Sequence, residues 1–158
     1  MAEVYAQIMK AAGHVPTTFA TIGAHGPAAL PADGVLARTL RQQDQETVQL
    51  RSRAVAGGDH CVAVHSLLGQ MTGLAPEVLK QIRAGQPMGD ATRDAPVRFV
   101  RTLAETSGTI SAEEVSALKA AGSTDQQLVE ISLALAVTVF PNVFNRINDT
   151  AIDVPAVA

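Results

Sequence analysis

The chain has 158 residues, 47% of them hydrophobic and 17% charged, which is the balance of one compact domain and excludes a disordered tail. With 3% aromatic residues and no Trp, the core must be built from Ala, Val, Leu and Ile, a composition suited to closely packed helices. A net charge of -3, with Lys and Arg scattered singly, excludes the basic stripe that tracks nucleic acid.

In chain order, apolar residues at Val4, Tyr5, Ile8, Met9 and Ala12 predict a short amphipathic helix over 4–12, stopped by Gly13. Pro16 and Thr17 open a second helix through Phe19 and Ile22. Gly26-Pro27 restarts the chain into a third, broken near Pro31 and Gly34 and ending near Leu40. Polar residues 41–45 read as a connection, with Asp44 as N-cap of a helix running to Ala56 and ended by Gly57-Gly58. The next helix begins near Asp59 or His60 and carries Cys61, Val64, His65, Leu68 and Met71 before Gly73.

A helix over 77–83 and a loop over 85–95 follow, then a helix over 96–106. Ser111 and Glu114 form a capping box before a short helix to Ala120. A final helix over 124–148 should be kinked by Pro141; being apolar around most of its circumference, it is expected to be the central helix and also to be buried between subunits. Its apolar run over 131–143, interrupted by Ser132, Thr138 and Pro141, falls short of the roughly 20 residues of a membrane span. No segment alternates as a strand does, so the expected fold class is all-α, a single domain over residues 1–158. No signal peptide is legible, and a lone thiol is most easily kept in a reducing compartment, so the expected location is cytoplasmic with no membrane or nucleic-acid partner.

Cys61 and His65 stand four apart on one helix face, the spacing of a thiol and its base. The first turn of a helix favours an anion and a neighbouring imidazolium favours it further, so the Cys61 thiol is expected to ionise more readily than an ordinary one. His60 adds a second imidazole beside it. An inert buried cysteine with a core histidine has the same spacing. His60, Cys61 and His65 lack a clearly spaced fourth metal ligand, so no metal or other cofactor is expected. Asn142, Asn145 and Asp149 are expected to cap backbone at the end of the last helix and to hold the carboxy-terminal segment against a neighbouring subunit.

Glu46-Thr-Val-Gln-Leu50, followed by Ala54-Val-Ala-Gly-Gly-Asp-His-Cys61-Val-Ala-Val-His65, resembles the core signature of the alkylhydroperoxidase D and carboxymuconolactone decarboxylase family, in which a Glu-bearing helix leads through a glycine turn to Cys-x-x-Cys-x-x-x-His. Residues 73–77 and the closing stretch 142–155 are also similar to that family, and the resemblance runs from about Val15 to Pro155. It implies an orthogonal helical bundle assembled as trimers or hexamers. It also implies a proton relay in which Cys61 is the peroxide-reacting thiol, His65 the imidazole and Glu46 the carboxylate, with His60 in a slot that can hold His. The first Cys of the motif is replaced by Gly58, so a Cys61 sulfenic acid is expected to be resolved by an external thiol reductant or by another subunit.

Arg51 and Arg53 depart from the small or apolar residues usual there. They read as surface or interface charge, or as substrate-binding groups for a carboxylate. The leading expectation is a one-Cys peroxidase-like antioxidant protein acting on a small-molecule hydroperoxide. The alternatives are a lyase acting on a carboxylated lactone, with His65 or Glu46 as acid or base, and a non-catalytic oligomeric scaffold.

Overall fold

The computed structural model describes residues 40–154 together with residues 5, 6, 9, 10, 13–15, 17, 20, 21 and 24. The three helices expected before residue 40 lie largely outside the described residues. The rest is all-helical: α1 (Gln42–Ala56), α2 (Asp59–Met71), α3 (Pro76–Ala84), α4 (Ala91–Glu105), α5 (Ala112–Ala120) and α6 (Asp125–Ile147), with no strand among the described residues.

Several helix boundaries differ from the sequence expectation for local reasons. Helix α1 starts at Gln42, with Arg41 in the extended N-cap position. Asp44, expected as the cap, lies inside the first turn and accepts from Arg41 Nε at 2.7 Å. Helix α4 starts at Ala91 because Asp90 caps it, accepting from the Thr92 amide, and Pro96 is then an interior residue. The expected loop over 85–95 shrinks to residues 85–90, tied down where the Met88 amide donates to Asp94 Oδ1 at 2.7 Å. Both capping boxes, Ser111 with Glu114 and Thr124 with Gln127, are formed. Helix α6 runs as one element through Pro141.

The centre of the fold is α1, not the final helix. Helix α1 packs against α2, α3, α4 and α6, and its residues Thr47 to Arg53 are buried without interruption. Val48 joins one apolar cluster with Phe99, Val100, Leu118 and Ile131, and Leu50 joins a second with Leu74, Leu79 and Ile82. Helix α6 buries one stripe, Ile131, Ala134, Thr138, Pro141, Asn142 and Asn145, and leaves Val129, Val139, Phe140, Val143 and Ile147 exposed. By length and composition alone this 23-residue helix, which contains an 18-residue window of mean hydropathy 1.6, could cross a membrane, whereas its apolar run over 131–143 could not.

Candidate active site around Cys61

The site is built where α1 turns back into α2. Gly57 ends α1 in the left-handed region, at φ 73°, and its amide donates to the Arg53 carbonyl at 3.0 Å. Gly58 is the N-cap of α2 and Cys61 the third residue of that helix, within the turn whose backbone amides lack helical partners. The tight turn folds the two helices into a hairpin, so Glu46 near the start of α1 meets His65 well along α2.

His65 Nδ1 and Glu46 Oε2 are 2.9 Å apart and both side chains are mostly buried. A carboxylate only accepts, so this contact requires a proton on Nδ1 and selects the tautomer in which Nε2 of a neutral ring is the accepting nitrogen. His65 lies one turn from Cys61 on the same helix. Thus α1 and α2 bring Glu46 and His65 into contact, with Cys61 next along the helix.

Cys61 is 5% exposed, and its sulfur receives a hydrogen bond from Asn145 Nδ2 of α6 at 3.3 Å. One turn earlier, Asn142 Nδ2 donates to the Ala56 carbonyl at 3.0 Å. Asn142 also lies directly over Gly58: a Cβ there would overlap its Oδ1 and stand 2.6 Å from its Cγ. Both asparagines were expected to cap backbone at the end of the last helix and to hold the carboxy-terminal segment against a neighbouring subunit; within this chain their side chains dock on residues 56–61. That contact was missed, although two Asn on an otherwise apolar helix signal buried partners, because a buried amide requires them.

A cavity of about 380 Å³ opens beside the sulfur, lined by residues 57–61 and by Asn145, Arg146, Asp149, Thr150 and Ile152. Its outer wall is the segment after α6, reversed at Asp149 (φ 47°) so that the Thr150 amide donates to the Asn145 carbonyl at 3.0 Å. Asp153 anchors that segment: its Oδ2 accepts from the Thr17 amide at 2.7 Å and hydroxyl at 2.6 Å, and its Oδ1 lies 3.5 Å from His60 Nε2. Burial pushes His60 below its ordinary range, with Asp153 opposing. Burial would raise Asp153, but the Thr17 hydrogen bonds, a hydrogen bond from its own backbone and the nearby His60 together hold that carboxyl below the usual range.

Arg51 and Arg53 are not surface charges. They are 7% and 2% exposed, and neither is among the residues lining the Cys61 cavity. Arg51 Nη1 donates to the Arg83 carbonyl at 2.7 Å, which satisfies the last turn of α3, and its guanidinium packs over Gly85. Burial, reinforced by Arg101 and opposed by Glu105, lowers the Arg51 pKa from its ordinary value. The arginine at the cavity is Arg146, which the sequence reading had not selected. Among the described residues, no three of His, Cys, Asp and Glu converge as a metal site would require.

No protein-family profile and no curated protein sequence matches the chain. Solved structures do. The AhpD core of an uncharacterized peroxidase-related protein from Ralstonia eutropha JMP134 superposes with a TM-score of 0.78 at 20% identity, covering 93% of this chain and 83% of that one. The fold is that of the AhpD core. A cysteine-to-alanine variant of the debrominase Bmp8, in complex with 2,3,4-tribromopyrrole, superposes with a TM-score of 0.80 at 16% identity, covering 96% of this chain and 84% of that one. The AhpD-like architecture therefore spans α1 to α6 and places the Glu46 and Cys61 helices side by side at its centre.

Proposed function

We propose that the protein is a one-cysteine, peroxidase-like thiol enzyme that reduces an organic hydroperoxide at Cys61 and is regenerated by an external thiol. The observation that carries this reading is the 2.9 Å contact between Glu46 and His65, one helical turn from a cysteine that lines a cavity. His65 Nε2 takes the thiol proton while Glu46 stabilises the imidazolium, and the thiolate attacks the outer peroxide oxygen. The O–O bond breaks, the departing alkoxide takes the proton back, and Cys61 is left as a sulfenic acid. One external thiol condenses with it, releasing water and leaving a mixed disulfide; a second frees Cys61 and leaves as the oxidised reductant. A cavity of about 380 Å³ has the size of small-molecule pockets and far exceeds one water, which favours an organic hydroperoxide over hydrogen peroxide.

Gly58 supports the external reductant. The space of a side chain at 58 is filled by Asn142, and Cys61 is the only cysteine in the chain. A cytoplasm rich in small thiols is the setting this cycle calls for. Self-association through α6 belongs to the same reading: Val129, Leu133, Ala136, Phe140, Val143 and Ile147 recur at steps of four and three on its exposed side, the spacing of a helix-packing seam.

A second reading is favoured by the likeness to a debrominase that binds a bromopyrrole. Here the same thiolate takes bromine from a ring carbon and the carbon takes a proton from His65; one external thiol then displaces bromide from the sulfur to leave a mixed disulfide, and a second frees Cys61 and leaves as the oxidised reductant.

The test is consumption of an organic hydroperoxide in the presence of a dithiol, alongside bromide release from 2,3,4-tribromopyrrole. Turnover of the hydroperoxide, lost in Cys61→Ser, is the expected result. Equal consumption by Cys61→Ser would overturn the mechanism, and bromide release without peroxide turnover would select the second reading.

A further inference from the structure

Two asparagines of α6 meet two positions of α2 in register: Asn142 lies on Gly58 and Asn145 on Cys61, each pair three residues apart along its own helix. We propose that Asn145 is the positioning residue that holds the Cys61 sulfur as a thiolate, and that the Asn142 contact with Gly58 sets its distance. The inference deepens the reading of Cys61 as the reactive thiol, but it concerns the ionisation of the sulfur and not turnover.

An amide N–H can only donate. A neutral thiol sulfur accepts weakly and a thiolate strongly, so the 3.3 Å contact from Asn145 Nδ2 favours the ionised form. Cys61 is 5% and Asn145 7% exposed, so water competes little for that hydrogen bond. The Glu46–His65 pair is suited to moving the proton, whereas Asn145 has no proton to take or give at neutral pH. It stabilises what remains after the proton has gone. The anchoring is also explicit. Asn142 is fixed at one end by its hydrogen bond to the Ala56 carbonyl and seated at the other on a residue without a side chain, so α6 cannot slide along the turn without breaking both contacts. A side chain at 58 would displace Asn142 and, one turn on, Asn145. The carboxamide pair therefore occupies the room that a second thiol at 58 would need, and supplies the sulfur with a donor in its place.

The experiment is an ultraviolet thiolate titration of the intact protein, read cleanly because the chain has one Cys, one Tyr and no Trp. Asn145→Leu should move the titration midpoint upward and cut the thiolate population at neutral pH roughly tenfold, the scale of a lost charged hydrogen bond. Asn145→Asp, which keeps the shape but presents a carboxylate, should move it further. Asn142→Ala should give a smaller upward shift. In the unsubstituted protein the Asn145 side-chain amide resonance should move along the same titration curve, a reading that needs no variant to fold. An unchanged midpoint in a folded Asn145 variant, or an amide resonance indifferent to the titration, would overturn the proposal. A shifted midpoint in a protein that turns over no peroxide would leave this inference standing and remove the peroxidase reading instead.

Discussion

A mostly buried carboxyl group calls for a hydrogen-bonding partner, and at Glu46 that partner is the His65 ring, whose Nδ1 lies 2.9 Å from Oε2. The pairing of Cys61 with His65 was legible in the sequence because residues four apart share one helix face, whereas Glu46 joined them only through the resemblance to the family signature. Arg51 was not legible. Its partner is the backbone carbonyl of Arg83, 32 residues away, and no pattern in residue types announces a backbone acceptor. His60 carries a prediction at this scale. Burial depresses its pKa below the ordinary value of 6.5, so the folded chain takes that proton less readily than the unfolded one. The stability it contributes is fully present above about pH 6.5 and is lost as the pH falls through the depressed folded value. Asp153 stays ionised across that window. Denaturant unfolding should therefore show a smaller loss of stability between neutral and mildly acidic pH in His60→Gln than in the parent; parallel losses would contradict the assignment.

Among the elements, α1 shows most clearly why composition misled. Its sequence carries Gln, Glu, Thr, Ser and two Arg, the latter read as surface or interface charge, yet it is the most enclosed helix among the described residues. Short polar side chains make this possible by bonding to their own helix: Thr47 Oγ1 donates to the Gln43 carbonyl and Ser52 Oγ to the Val48 carbonyl, each at 2.7 Å. Conversely, α6 has the apolar sequence of a central helix but buries only one stripe. Helix boundaries were legible where the chain offered capping boxes, and were misplaced at α4 because Pro96 looked like a first-turn residue while Asp90 was the cap. The junction of α2 with α6 gives the prediction at this scale. Gly58→Ala should lose roughly 1–3 kcal/mol of stability by overpacking against Asn142, and Asn142→Gly in the same chain should recover part of it. Strictly additive effects of the two substitutions would show that the contact carries no coupling.

For the whole molecule, the all-helical class followed from composition and periodicity, and the AhpD-like architecture from the Glu46 to His65 signature. The final helix was expected both at the centre of the fold and between subunits, but which of its apolar residues stay exposed was not legible, because a single sequence does not say which side of a helix its own core will cover. If that side packs against a second copy, Phe140→Glu should lower the mass seen by light scattering while leaving the far-ultraviolet circular dichroism unchanged. An unchanged mass would remove α6 as the contact.

Under the proposed function the Glu46–His65 pair draws the proton from Cys61 so that a peroxide can oxidise the sulfur. Intact-mass spectrometry after brief exposure to an organic hydroperoxide with dimedone tests it most directly. One adduct is expected, on Cys61, formed roughly 100-fold more slowly in Glu46→Gln. No adduct, or one formed equally fast in that variant, would contradict it.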